Sequence, residues 1–536
     1  MARAKRNILM DQGAKNLFDI LERSTERHPD SCALIFGARH ITYATLLRQT
    51  RQFAGALSRL GVDEHDRVAL WLPNCPEFTV AFFATLALNA TVVPVNTMLK
   101  QDEAKFIIDD SKSKILIFSI DKIAESEMIL TRVDSLLSVI SLPAPHSKTI
   151  AYDFYTLLKG SPEHPKSCPA AQNDLAEIIY TSGTTGKPKG ACLTHKNLLS
   201  NIADCAEVIR FSQKDTIICV LPLFHSFAST VCMLLPLYHG ARIVIMRAVR
   251  PFKRIIRAII KHRVTVFVGV PSFYSILSET KFPPFVLFLG IFLNPIRLCI
   301  SGAAALPVPV WRKFERRFRR PLLEGYGLTE ASPVVSLNPL SGIRKPGSIG
   351  LPLPSVKVKI VDAHERELAT GEIGELLVQG ANVMREYYNL PLESAQTLKN
   401  NWLYTGDLAK IDADGFIYIM GRIKEMVNVR GLNVYPKEIE DILFKHPAVK
   451  EAAVVGANHA KRGEVPIAFV VTRSPASEQE LIRYLRHAIA SYKVPFKVFF
   501  KETLPKNATG KIVKTELQRE ARELLNKTYA THTYSE

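Results

Sequence analysis

The sequence predicts an α/β protein with a large N-terminal domain of mixed and parallel sheets and helices. A small β-barrel-like subdomain closes that domain, and a small α+β domain follows it. Three changes of texture carry this reading. From residue 1 to about 420, short apolar runs alternate with helical patterns, as βαβ units require: RVALWLPN (67–74), LAEIIYTSG (175–183), ARIVIM (241–246) and VTVFVGV (264–270). After about residue 345, the strands become punctuated by Gly and Pro, as in VKVKIVD (356–362) and EIGELLVQG (372–380), which predicts the small β-rich subdomain. Beyond GRIKE (421–425) a compact pattern predicts a helix at Pro436–Phe444, strands at Glu451–Gly456 and Ile467–Val471, then helices. The boundary near 421 divides the chain into 1–421 and 422–536.

The 536 residues exceed one ordinary domain, and 47% hydrophobic with 22% charged residues is a globular composition. Eight cysteines (32, 75, 168, 192, 205, 219, 232 and 299) include no CxxC pair. A zinc ribbon is thereby excluded, a disulfide framework is disfavoured, and a reducing cytoplasm is expected. The N-terminus MARAKRNILMDQGAKN has charge without an apolar stretch behind it, so no secretory signal is expected. No window approaches the roughly 20 apolar residues of a spanning helix. The longest apolar run, Phe285–Leu293, is closed by prolines at 283, 284 and 295.

The net charge of +18 (69 basic less 51 acidic residues) implies an anionic partner. Nucleic acid is not expected, because no basic arm with interleaved aromatics and no nucleic-acid module is present. The excess concentrates instead in RAVRPFKRIIRAIIKHR (247–263) and WRKFERRFRR (311–320). In the first, Phe252, Ile255, Ile256, Ile259 and Ile260 repeat at helical spacing while Lys253, Arg254, Arg257 and Lys261 take other positions. Two readings fit: a surface helix with its apolar side in the core, or a helix whose basic face meets anionic lipid at the inner membrane face.

The strongest local signal is YTSGTTGKPKG, Tyr180 to Gly190. Glycines let backbone N–H groups close on phosphate oxygens, hydroxyls add donors, and lysine neutralises charge. Pro188 stands where a Walker loop needs its second glycine, so this is not a Walker loop. Five more segments follow: SGAAALP (301–307), EGYGLTE (324–330), YTGDLA (404–409), GRIKEMVNVRGLNVYPKEIE (421–440) and PKNATGKI (505–512). In order and spacing these motifs resemble the adenylate-forming superfamily, which includes acyl-CoA synthetases, firefly luciferase and nonribosomal peptide adenylation domains. The resemblance covers nearly the whole chain.

The resemblance implies a two-step reaction. A carboxylate attacks the α-phosphate of ATP, pyrophosphate leaves, and the resulting acyl-AMP is passed to a thiol, coenzyme A or the phosphopantetheine of an acyl carrier protein. It implies that Thr181, Ser182, Gly183, Thr184, Thr185, Gly186 and Lys189 hold the phosphates. Gly302, Ala303 and Ala304, with Glu324, Gly325, Tyr326 and Gly327, would line the nucleotide site, Tyr326 stacking on adenine. Thr329 would donate to the α-phosphate, Glu330 with Thr185 would hold Mg²⁺, and Asp407 with Arg422 would grip the ribose. Lys511 would reach from a mobile C-terminal domain to the reacting carboxylate and α-phosphate, where its charge counts most in the transition state. Lys424 matches the hinge, and a swing about it would bring Gly431 to the pantetheine tunnel.

LPLFHSFAS (221–229) resembles the wall between acid pocket and nucleotide, with His225 facing the carboxylate. Residues 224–235 carry no charge apart from His225, so an apolar acid, a medium- or long-chain fatty acid, is expected rather than an amino acid. An acyl carrier protein ligase, an aryl-acid ligase of the coumarate type and a non-catalytic lipid-binding protein remain as alternatives. SGAAALP departs from the commoner SGGAPLP by Ala303 for Gly and Ala305 for Pro, and Ala303 would narrow one pocket wall slightly. The apolar stretch 281–298 also departs from the family, either as a core element or as an exposed loop resting on a bilayer.

Overall fold

A computed structural model describes residues 14–142, 152–164, 170–181, 187–248, 251–280, 295–430, 432–459, 463–507 and 510–532, with side chains described as far as Leu525. The loop residues Ser182, Gly183, Thr184, Thr185 and Gly186, together with Gly431 and the apolar run Phe285–Leu293, lie outside the described residues.

Two large sheets dominate. In the eight-stranded one the order is Glu386–Tyr387, Lys189–Thr194, Leu175–Thr181, Thr91–Pro94, Arg67–Trp71, Ile115–Ser119, Ser138–Leu142 and Tyr152–Asp153. The nine-stranded one runs Leu351–Pro352, Val334–Leu337, Leu322–Gly327, Leu298–Ser301, Val266–Gly269, Thr216–Cys219, Arg242–Ile245, Cys32–Phe36 and Arg39–Thr42. The interior strands of each are parallel, and the antiparallel pairings sit toward the edges. Parallel strands with both faces covered read as continuous apolar runs, which is why the sequence shows them so plainly. The helix Pro76–Ala87 is buried along its whole length and apolar but for Glu77, Thr79 and Thr85, as suits a helix covered on every side.

The helix His195–Ile209 starts where it does because Thr194 and Asn197 cap each other: the Asn197 N–H donates to Thr194 Oγ1 (3.2 Å) and the Thr194 N–H to Asn197 Oδ1 (2.8 Å). Asn197 also donates to the carbonyls of Ala381 and Val383, both at 2.8 Å, tying this helix to the chain that leaves the β-rich subdomain. That subdomain is a five-stranded antiparallel sheet in which Trp402–Ile411 pairs with Gly374–Gln379 on one side and Ile417–Arg422 on the other.

After Arg422 a single turn of 3₁₀ helix, Ile423–Glu425, leads to a separate three-stranded sheet of Val449–His459, Gly463–Thr472 and Lys497–Phe500. Alternation along its strands splits the core in two. Val454, Ala468 and Val470 face the helices Pro436–Leu443 and Glu478–Ala488, while Val455, Ile467 and Phe469 face the helix Lys514–His532. Among the described residues no hydrophobic cluster mixes side chains from before 421 with side chains from after it. The two parts meet through polar contacts, such as Arg473 with Glu279.

The basic segments form the helices Phe252–Lys261 and Val308–Phe318. Burial corrects one detail: Ile255 is buried, but Ile260 is 67% exposed rather than part of the apolar side. Arg317 is no free surface cation, since its guanidinium donates to the carbonyls of Ser278 and Thr280, closing the end of the helix Pro271–Glu279.

Candidate active site

Four neighbouring parallel strands, Thr216–Cys219, Val266–Gly269, Leu298–Ser301 and Leu322–Gly327, end on one edge of the nine-stranded sheet. The loops beyond those ends carry His225, Val270, Gly302 to Ala304, and Thr329 with Glu330. Ligands of open α/β sheets bind at such carboxyl edges, and ten of the sequence-derived candidates lie there: His225, Gly302 to Ala304, Glu324 to Gly327, Thr329 and Glu330.

His225 begins the short helix Ser226–Ala228, and its Nδ1 accepts the Phe227 N–H at 3.3 Å. That leaves Nε2 as the ring's proton carrier. Burial first, and the nearby Lys511 charge second, push its pKa down to about 4, so the imidazole is neutral at pH 7. Ser226 Oγ lies 3.3 Å from Thr329 Oγ1, joining the two loops. Phe227 packs its ring over Gly302, where an added Cβ would lie 2.8 Å from the ring tip. Ala303 is exposed at φ 67°, a left-handed conformation that costs an alanine roughly 1 kcal/mol more than a glycine.

Glu324, Gly325 and Gly327 have other reasons to be what they are. The Glu324 carboxylate is buried and accepts the Leu306 N–H at 2.8 Å, bracing the 302–307 loop from below; its burial raises its pKa to about 7. A Cβ on Gly325 would lie 2.8 Å from Leu337, and one on Gly327 would lie 2.1 Å from the Pro333 carbonyl oxygen. Close approach of the neighbouring strand therefore requires both glycines.

Glu330 sits in the 3₁₀ turn Thr329–Ala331, and its Oε1 accepts the Tyr387 hydroxyl at 2.8 Å. The Tyr387 ring lies under Lys189, whose Nζ is 5.2 Å from the ring centroid. Thr181 and Lys189 face each other at the last pair of the antiparallel pairing of Leu175–Thr181 with Lys189–Thr194. Gly190 is needed there, because a Cβ would meet Ile178 at 2.8 Å and Tyr180 at 3.1 Å. Tyr387 thus couples the loop's lysine to Glu330, a role that the sequence reading missed; the only signal for it was the aromatic pair in REYYN (385–389).

Asp407 and Arg422 are direct cross-strand partners, Arg422 Nε donating to Asp407 Oδ1 at 2.9 Å, and the Tyr326 hydroxyl donates to the other Asp407 oxygen. Burial and the Asp407 charge hold the Tyr326 hydroxyl protonated far above its usual range.

Lys511 closes the assembly from the other side of the cleft. Its turn is held by Asn507, whose Oδ1 accepts the Lys511 N–H and whose N–H donates to the Lys511 carbonyl, both at 2.9 Å. Gly510, at φ 78°, abuts the start of the helix Pro271–Glu279, where its Cβ would stand 3.6 Å from Ser272 Oγ. Solvent still reaches Lys511, yet the protein crowded around it lowers its pKa. The Arg422 and Lys514 charges lower it further, against Asp407 and Glu425. Lys514 is clamped by Glu425 (3.0 Å) and Glu440 (2.9 Å), so the segment after Arg422 and the start of the helix Lys514–His532, just beyond Lys511, are bound together. Lys424 stands exposed in the 3₁₀ turn between the two parts.

Family comparison agrees with this geometry. Residues 21–388 match the AMP-binding enzyme family and residues 438–511 match the AMP-binding enzyme C-terminal domain. A long-chain-fatty-acid–CoA ligase of Bacillus subtilis (strain 168) is 34% identical, with 95% of each chain covered. The crystal structure of ATP-bound MatB from Rhodopseudomonas palustris superposes with a TM-score of 0.88 at 31% identity, covering 95% of this chain and 99% of the other. That of an anthranilate CoA ligase in complex with anthranoyl-AMP gives 0.88 at 28% identity, covering 95% and 98%. The chain belongs to the AMP-binding enzyme family. Within it, this is an acid–thiol ligase that works through an acyl-adenylate.

Proposed function

We propose that the enzyme activates a medium- or long-chain fatty acid with ATP and transfers the acyl group to coenzyme A. The observation that carries the acid class is the wall from Phe224 to Leu235. It is buried or half-buried along its length, uncharged apart from a histidine held neutral, and offers nothing to pair an ammonium or a second carboxylate. Similarity to long-chain-fatty-acid–CoA ligases supports the same reading.

In the first step a substrate carboxylate oxygen attacks the α-phosphorus and pyrophosphate departs with the bridging oxygen's electrons. Lys511 neutralises charge growing on the α-phosphate as the carboxylate oxygen bonds to it, and the Thr329 hydroxyl donates to the α-phosphate. His225 Nε2–H, a neutral donor, orients the carboxylate and adds no second cation beside Lys511. Asp407, already poised by Arg422 and Tyr326, accepts from the ribose hydroxyls. Glu330, one of whose oxygens accepts the Tyr387 hydroxyl, would hold magnesium through the other, and the ion would neutralise the departing pyrophosphate. Among the described residues no three His, Cys, Asp or Glu side chains are grouped to hold a metal ion, and nucleotide oxygens, hard ligands suited to magnesium, would share its coordination with Glu330. In the second step the thiol sulfur bonds to the acyl carbon, AMP leaves, and the thiol proton passes to solvent.

One observation favours a flatter acid: the Phe227 ring fills the space above Gly302. Pyrophosphate release over a panel of octanoate, palmitate, coumarate and benzoate decides between them. Highest kcat/KM on the two aliphatic acids is expected; preference for either aromatic acid would overturn the fatty-acid assignment. The same acyl-AMP offered to coenzyme A and to acyl carrier protein then identifies the acceptor, with coenzyme A expected to react.

A further inference from the structure

The helices Phe252–Lys261, Pro271–Glu279 and Val308–Phe318 connect strands that succeed one another in the same direction across the nine-stranded sheet. Right-handed crossovers place all three on one face. They lie side by side: Phe252 meets Phe273 with ring centroids 6.2 Å apart, and Tyr274 meets Phe314 at 5.2 Å. The two outer helices turn eight exposed cations away from the sheet, Lys253, Arg254, Arg257 and Lys261 on one, with Arg312, Lys313, Arg316 and Arg319 on or just after the other. No carboxylate among the described residues pairs with any of them. The acids nearest in sequence are engaged elsewhere, Glu279 with Arg473 and Glu315 with Arg344 and the Leu322 N–H. Within this positive field Ile260 is 67% exposed and Ile276 48% exposed.

We propose that this three-helix face docks on the surface of an anionic phospholipid bilayer. An acidic protein would satisfy the cations and leave two isoleucines unmatched. A bilayer accepts both, since lipid phosphates take guanidinium and ammonium donors and isoleucine reaches below the headgroups. The middle helix gives the face a use, which rests on the fatty-acid reading above. Its far end lies in this layer and its first turn abuts the Lys511 turn at Ser272. Nine residues of helix span only about 14 Å, so an acid leaving the bilayer would enter close to the site of adenylation.

The test is co-sedimentation of the full chain with vesicles of phosphatidylglycerol and phosphatidylcholine, without nucleotide, at low and raised salt. The wild type is expected on anionic vesicles and not on pure phosphatidylcholine, with binding falling as salt rises. Arg254→Glu/Arg257→Glu/Lys261→Glu should weaken partitioning on the order of a hundredfold. Ile260→Ser should weaken it roughly tenfold while every charge is kept. Wild type that ignores anionic vesicles, or a triple variant that binds them equally, overturns the proposal. Capture by acyl carrier protein in place of vesicles, lost in the triple variant, overturns it as well and gives the face to that protein. Pyrophosphate release with octanoate, measured separately, should be unchanged in all variants. Vesicle binding and acid specificity can therefore fail independently.

Discussion

The two walls of the active-site cleft are built in opposite ways. The N-terminal wall consists of loops rooted in buried parallel strands, and its side chains hold one another: Ser226 with Thr329, Tyr387 with Glu330, Arg422 and Tyr326 with Asp407. The opposite wall is one turn, Asn507 to Lys511, carried by a domain with its own core and touching the first through surface contacts. Buried strand ends resist movement because shifting them opens the core, whereas polar surface contacts exchange for water at little cost. On the proposed function, a fixed cradle for ATP and acid would therefore face a removable cation. Two reactions with different charge demands can share one pocket if the cation is withdrawn between them.

The largest effect is expected in the cradle. Glu330→Ala should lower the adenylation rate on the order of a hundredfold, with the Mg²⁺ dependence weakened and the melting temperature unchanged. A variant that melts early but turns over normally when folded would make Glu330 structural. Tyr387→Phe sharpens the point, because it removes only the hydroxyl that orients Glu330. About a tenfold loss is expected, the scale of outer-shell partners in metal sites. Identical kinetics for Phe and Tyr at 387 would show that Glu330 needs no such guide.

At the joint, Lys424→Pro should retain adenylation and slow thioester formation severalfold. Lys424 is the first central residue of a turn closed by the Met426 N–H on the Ile423 carbonyl, the position where proline's fixed φ fits best, so the variant favours the arrangement described here. Undiminished overall turnover would mean that no swing about this residue is required.

Strands of buried parallel sheet were legible because an apolar run such as VTVFVGV leaves few alternatives, and the motif residues because their spacing is dense. What stayed hidden depends on pairs far apart in sequence. Tyr387 and Glu330 are 57 residues apart, and nothing local marks their hydrogen bond. Periodicity grouped Ile260 with the buried isoleucines although its side chain points to solvent, since residues at the margin of an apolar stripe are settled by what packs beside the helix. Glu324 was read as part of the nucleotide site through its motif, while packing turns it inward beneath the 302–307 loop.

Glu177 is a carboxyl inside the apolar run LAEIIY, a visible oddity whose meaning needs the fold. Both oxygens are fully buried without a hydrogen-bond partner, and burial pushes its pKa up to about 8 from an ordinary 4.5. The folded state keeps this proton up to pH 8 while the unfolded state releases it above 4.5, so Glu177 costs stability increasingly between those values. Glu177→Gln should therefore melt higher than wild type by a margin that widens from pH 5 to pH 8 and then levels, with activity unaltered. An equal margin at both ends would show that the carboxyl is already ionised in the fold. This is the smallest effect on catalysis, and it separates the stability of the cradle from its chemistry.

The contrast between fixed cradle and removable cation is tested most directly at Lys511, by measuring the two half-reactions of Lys511→Ala separately. Acyl-AMP formation, followed by pyrophosphate release, should fall by about a hundredfold or more. Thioester formation from supplied acyl-AMP and coenzyme A should stay within about twofold of wild type, because less than a RT-sized change is expected where the lysine is withdrawn. Equal loss in both halves would contradict the account, placing Lys511 in a site that does not change between the steps.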